Sequence, residues 1–235
     1  MSTFLLIHGS AHGAWCWRDL VPELSARGHQ AIAIDLPSHG NDPTPPEEVG
    51  LEDYVSAILS SVDTPVIAVA HSSGGVAMTQ AADRVPDLFM RLVYLCAYRP
   101  EDGDSVASLR RAGPSQPLLS AISRAADGVT FSFNDQAEEK LYQDCQPEAV
   151  AHALAHLGPQ PIRPQEEAVS LSGAAHGLPQ SYIVCTEDRA IPPDYQRRMA
   201  QALPESHRHE LALSHSPFLA DPAGLADLLD DIARG

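Results

Sequence analysis

Residues 66–75 read VIAVAHSSGG, and this stretch decides the fold. Val66–Ala70 is a short apolar run of the kind that forms a strand buried on both faces. It leads into His71-Ser72-Ser73-Gly74-Gly75 and then into a helical pattern over Val76–Arg84. A strand, a small-x-Ser-x-Gly turn and a helix in that order make a nucleophile elbow, with Ser72 lifted above the edge of a sheet. Small residues at Ala70 and Gly74 suit such a turn, because it brings strand and helix backbones close. Read without chemistry, the same residues are a Ser/Gly-rich turn, so the assignment depends on what the rest of the chain supplies. Ser73 is the rival nucleophile; the spacing favours Ser72, since at position 73 the amide rather than the hydroxyl faces the reacting carbon.

Outward from the elbow, Phe4–Ile7, Ala31–Ile34, Leu92–Leu95, Tyr182–Val184 and Leu211–Leu213 read as further strands. Amphipathic stretches near Trp17–Ala26, Leu51–Ser61, Tyr195–Ala202 and Leu225–Ala233 alternate with them. The expected fold is α/β, a mostly parallel six-stranded sheet with helices on both faces. From about Arg99 to Pro179 no buried strand is evident, and Gly113-Pro114 and Gly158-Pro159 punctuate helical patterns. That interval reads as a mainly helical cap with helices near Val106–Arg111, Leu118–Arg124, Gln136–Tyr142 and Glu148–Leu157. The chain is expected to be a single domain over 1–235, with a core of 1–99 and 179–235 and a cap insertion at approximately 100–178.

At 235 residues and 44% hydrophobic content the chain can bury one full core. Its formal net charge of -16 opposes attraction to nucleic acid or an anionic membrane. The expected partner is a small-molecule ester, with no nucleic acid and no membrane, and a homodimer is allowed for. Cys16, Cys96, Cys145 and Cys185 are scattered, form no CxxC pair and read as free thiols. No run of about 18 apolar residues and no secretory pattern precedes or interrupts the strands, so the expected location is cytoplasmic.

A serine nucleophile needs a base, and the base needs an orienting carboxylate. Tyr182–Cys185 leads into Thr186-Glu187-Asp188, and Leu211–Leu213 leads into Ser214-His215-Ser216, giving the chain order Ser, acid, His. Asp188 is preferred to the adjacent Glu187, with Glu101 or Asp102 as the fallback. His215 is preferred to His207 and His209, which fall at the entry of the last strand, and to His71, whose side chain should point away from Ser72. Backbone amides normally bind the oxyanion of acyl transfer; those of Ser73 and of Ser10, in the loop His8-Gly9-Ser10-Ala11-His12-Gly13, are the candidates.

With these residues in place, the chain resembles the plant methylesterase and hydroxynitrile lyase branch of the α/β-hydrolases and its bacterial relatives. The resemblance rests on His8–Trp17, Gly28-His29, Asp35-Leu36, the Ser72 elbow and Tyr182–Asp188. It continues in Ile191-Pro192, Gln196-Arg197 and Leu141–Cys145 before Pro147-Glu148. It implies Ser72 as nucleophile, His215 as base, Asp188 as acid and the Ser10 and Ser73 amides as oxyanion hole, with no cofactor and no metal. The lyases of this branch carry a Lys after the catalytic His and a Thr after the first-loop His. Here those positions hold Ser216 and Gly9, which favours ester hydrolysis over carbon–carbon lysis.

The expected activity is therefore that of a carboxylesterase-type serine hydrolase acting on a small ester through an acyl-enzyme. The alternatives are a cyanohydrin-type lyase and a ligand receptor with negligible turnover. Phe131, Phe133 and Tyr142 are candidate substrate-binding walls within the cap. Trp15 and Trp17 read as core packing. His152 and His156 stand at i, i+4 on a cap helix, but Ala153 replaces the Glu of a zincin motif and no third ligand is evident, so a surface pair is the better reading.

Overall fold

Four consecutive apolar residues in a strand point alternately to the two faces of its sheet, so Phe4–Ile7 requires cover on both sides. The computed structural model, which describes residues 1–235, supplies that cover. Its strands in chain order are β1 (Thr3–Ile7), β2 (Gln30–Ile34), β3 (Val66–His71), β4 (Phe89–Leu95), β5 (Ile122–Arg124), β6 (Thr130–Phe133), β7 (Gln160–Pro161), β8 (Gln180–Cys185) and β9 (Arg208–Leu211). The helices are α1 (Leu20–Ala26), α2 (Leu51–Ser60), α3 (Gly74–Arg84), α4 (Val106–Ala112), α5 (Ala137–Leu141), α6 (Pro147–His156), α7 (Arg163–Glu166), α8 (Pro193–Ala200), α9 (Pro217–Ala220) and α10 (Pro222–Arg234). None is long and apolar enough to cross a membrane.

Six strands form one sheet in the order β2-β1-β3-β4-β8-β9, each pair of neighbours parallel. Leu5, Ile7, Ala68 and Ala70 pack on one face with side chains from α2, α3 and α8. Phe4, Leu6, Ile67 and Val69 pack on the other with α1 and α10. The chain steps outward from β1 to β2 and then returns past β1 to β3, which opens a crevice at the carboxyl ends of β1 and β3. Ile7 pairs with Ala70, so the loop beginning at His8 and the turn at Ser72 leave the sheet side by side.

Two expectations need correction. The last strand was expected at Leu211–Leu213 but occupies Arg208–Leu211, pairing Tyr182 with Arg208 and Cys185 with Leu211. As an edge strand it tolerates exposed Arg208 and Glu210, which blurs its apolar signal. His209 therefore lies within this strand rather than before it. In the interval between β4 and β8, helices appear at α4, α5 and α6 as expected, but Leu118–Arg124 is not one helix. A 3₁₀ turn over Pro117–Ala121 passes into β5, which pairs antiparallel with β6, and β6 with β7. The β5–β6 turn is made by Asp127-Gly128, with Gly128 at φ 75° and Asp127 Oδ1 accepting from the Val129 N–H at 2.9 Å.

Candidate active site

Ser72 sits between β3 and α3 with φ 54°, in the left-handed region that a non-glycine residue enters only when its surroundings hold it there. The Ser72 N–H donates to the Leu95 carbonyl, and the Ser72 carbonyl accepts from Tyr98 N–H at 3.0 Å. The turn must also be small. A Cβ at Gly74 would stand 2.5 Å from the His8 carbonyl oxygen, and one at Gly75 would collide with that of Tyr98.

The base and acid arrive on the carboxyl ends of β9 and β8. The Ser72 hydroxyl lies 3.0 Å from His215 Nε2, and His215 Nδ1 lies 2.6 Å from Asp188 Oδ2. Asp188 is buried and accepts three further bonds: Ala190 N–H and Ile191 N–H to Oδ1, at 2.6 and 2.9 Å, and Gln196 Nε2 to Oδ2, at 2.7 Å. Donors on every side suit the acceptor-only carboxylate and orient the His215 ring with its proton on Nδ1, leaving Nε2 to accept from Ser72. The His215 loop is held in turn by Asp144 Oδ2, which accepts from Ser214 N–H at 2.7 Å, and by Ser214 Oγ donating to the Leu141 carbonyl at 3.3 Å.

The rival residues stand elsewhere. Glu187 and Asp102 are exposed, and Glu101 pairs with Arg99 at 2.7 Å. The Ser73 hydroxyl bonds to Ser10 Oγ rather than to any imidazole. His71 turns away from the Ser72 hydroxyl, its Nε2 donating to the His215 main-chain carbonyl. Burial, reinforced by the charge His215 can carry, pulls the His71 pKa well below the usual imidazole range, so its ring is neutral.

The loop after β1 lies against the elbow: a Cβ at Gly9 would sit 2.8 Å from Ser72 Cβ. Neither the Ser10 N–H nor the Ser73 N–H donates to a protein acceptor, which leaves both amides free beside Ser72. Imidazoles brace this loop from below. His8 Nδ1 donates to the Gly9 carbonyl at 2.8 Å while its Nε2 accepts from Leu36 N–H at 3.0 Å. His12 Nδ1 donates to the Ser10 carbonyl at 2.8 Å, and its Nε2 accepts from the Tyr142 hydroxyl at 2.7 Å. Burial lowers the His12 pKa to about 4, against the opposing pull of its bond to the Ser10 carbonyl.

Of the three aromatic residues expected to wall a substrate pocket, Tyr142 is thus a buried support for the Ser10 loop. Phe131 and Phe133 pack edge-to-face on each other in β6, with ring centroids 6.0 Å apart. None of the three lines the cavity of about 10 Å³ that opens beside Ser73; Gly9, His39, Tyr54, Gln160 and Gln165 do. His39, in the turn after β2, could have been found by the same carboxyl-edge rule that located Ser72. Gln160 and Gln165 carry no sequence signal. His152 and His156 stack on α6, with His156 Nδ1 donating to the His152 carbonyl, and both pack against Trp15.

His71, Cys96 and His215 could each present a ligand atom to a metal within a 4.8 Å cluster. Three of the four imidazole nitrogens are already committed, His71 Nε2 to a carbonyl and both of His215 to Ser72 and Asp188, which leaves only His71 Nδ1 without a partner. Burial also pushes the Cys96 thiol well above its usual range, away from the thiolate that binds metals. An ion here would have to dismantle the Ser72–His215–Asp188 arrangement.

Comparison with known proteins places the chain in a family. The model of the alpha/beta hydrolase family matches residues 4–228. Methylesterase 7 of Arabidopsis thaliana is 32% identical over 98% of this chain and 95% of its own length. Salicylic acid-binding protein 2 of Nicotiana tabacum is 30% identical over 98% and 96%. Among solved structures, a pyrethroid hydrolase from Sphingobium faniae JZ-2 superposes with a TM-score of 0.84 at 25% identity, covering 100% of this chain and 98% of that one. Matched from its first strand to its last helix, the chain belongs to the α/β hydrolase family, in the branch that holds the plant methylesterases.

Proposed function

We propose that this protein is a serine carboxylic ester hydrolase that cleaves a small ester through an acyl-enzyme. The observation that carries the proposal is the relay from Ser72 Oγ to His215 Nε2 at 3.0 Å and from His215 Nδ1 to Asp188 at 2.6 Å. Ser72 Oγ attacks the ester carbonyl carbon and passes its proton to His215 Nε2. The carbonyl oxygen becomes an oxyanion that accepts from the Ser10 and Ser73 N–H groups, neither of which has a protein acceptor to give up. The intermediate collapses as the alkoxide leaves with the proton from His215, and the acyl group remains on Ser72. Water, deprotonated by the same imidazole, then releases the acid. Asp188 stabilises the imidazolium in both halves, and the segment 100–178 serves as the cap over the strand ends. The names of the relatives, methylesterases among them, favour an ester with a small alcohol part.

The test is hydrolysis of p-nitrophenyl acetate and a panel of methyl esters by the purified protein and its Ser72→Ala variant. Replacement should lower kcat/KM by roughly 10⁴-fold or more. Turnover that survives intact in the variant would discard the mechanism.

A further inference from the structure

The two loops that meet above Ser72 each carry a serine, and their side chains bond to one another, Ser10 Oγ lying 2.8 Å from Ser73 Oγ. Ser10 Oγ also reaches Gln165 Oε1 at 3.4 Å. Gln165, on α7, is nine-tenths buried, and its NH₂ has no acceptor within the protein. Ser73, Gln165, Gly9 and His8 line the cavity of about 10 Å³, closed behind by Val106 and Pro164. That space holds about one water molecule. Ser73 adjoins the nucleophile and Gly9 packs against it, so this row of hydrogen-bonding groups stands beside the Ser72 turn.

The hydroxyls belong to the same two residues whose N–H groups receive the oxyanion in the mechanism above. A side-chain oxygen so close to those amides meets the substituent on carbon 2 of the acid, next to the ester carbonyl. An alkyl branch there would break the Ser10–Ser73–Gln165 chain and return no bonds, leaving buried polar groups unpaired. An oxygen at that carbon would take the place of the lost partner. Sites built to hydrogen-bond a substrate group discriminate strongly against the analogue that lacks it.

We propose that the acyl side of this site selects esters of short acids oxygenated at carbon 2, such as 2-hydroxy acids, and that Ser10, Ser73 and Gln165 read that oxygen. The inference rests on the ester-hydrolase reading of Ser72 and adds the acyl class to it. Methyl lactate and methyl isobutyrate test it, because they differ only in a hydroxyl exchanged for a methyl group. The quantity to measure is the ratio of their kcat/KM values, divided by the ratio of their hydroxide-catalysed rates, so that general losses of activity cancel. For the unaltered protein this normalised ratio should be about tenfold or more. Ser73→Ala and Gln165→Leu should each move it toward one, while Ser73→Thr, which keeps the hydroxyl, should retain it.

A normalised ratio near one in the unaltered protein, or a preference that survives both variants, overturns the inference. Two variants on different elements guard against one failing to fold. Fluorophosphonate labelling of Ser72 in the same preparations separates the two levels of argument. Labelled protein that shows no preference, or cleaves neither ester, removes the acyl-class assignment alone; protein that does not label removes the esterase reading as well.

Discussion

His71 Nε2 donates to the main-chain carbonyl of His215 at 2.8 Å, so the residue before the nucleophile holds the backbone of the base. The elbow thereby fixes both ends of the proton path, with Ser72 on its own turn and His215 through its neighbour. His71→Ala should lower kcat roughly tenfold or more through misplacement of the imidazole, with a smaller change in KM. It should also cost about 1–3 kcal/mol of stability, because the buried His215 carbonyl would keep only the weak Cys96 thiol as a donor. Steady-state kinetics and urea unfolding of the same preparation measure the two effects separately.

Asp188→Asn would set an NH₂ or a lone carbonyl against four donors, among them Gln196 Nε2 and His215 Nδ1. The imidazole should then settle in the wrong tautomer, and kcat should fall on the order of 10⁴-fold. Fluorophosphonate labelling should slow in parallel, because it draws on the same Ser72 nucleophile. A variant that labels at the original rate would contradict the role given to Asp188.

Tyr142→Phe removes only the hydroxyl that donates to His12 Nε2. The support of the Ser10 loop loses one buried bond, so stability should fall by about 1–2 kcal/mol. Turnover should fall because the Ser10 amide loses its fixed orientation, and the loss should appear in kcat. A walling role at the substrate would instead make KM the affected quantity.

Stability should decline as pH falls from the ordinary imidazole range toward 4. His12 titrates at about 4 in the folded protein, from a reference of 6.5, so the unfolded chain binds the proton first. The stability held by neutral His12 is complete above about pH 6.5 and is lost progressively down to its folded pKa, amounting to roughly 3 kcal/mol. His8 and His71, both lowered by burial, act with the same sign. Urea midpoints between pH 7 and 4 should show this slope, and His12→Gln should make it shallower, leaving the share that belongs to His8 and His71.

The parts of the site that came through in the sequence are those fixed by strand ends. Ser72, Asp188 and His215 each follow an apolar run, and a parallel sheet carries such residues to one edge whatever lies between them. The helix pattern over 137–141 and 147–156 was equally plain, since breakers bound it. The β5–β6 hairpin was missed although Asp127-Gly128 is a turn signal, because the flanking Ile122-Ser123-Arg124 is too short to show an alternation. Tyr142 was read as a pocket wall, since aromatic residues in a cap suggest one; its bond to His12, 130 residues away, depends on tertiary placement that no local pattern encodes. Gln165 was silent for the same reason.

β9 is a four-residue edge strand paired on one side only, and His215 follows it by four positions. Ser72, by contrast, leaves the sheet between two fully paired neighbours. Nucleophile and base thus belong to regions of unequal cohesion, and detaching the sheet margin would disconnect them while most of the core stays intact. Heating should silence turnover before it melts the helices, which makes inactivation a gauge of the rim rather than of the whole molecule.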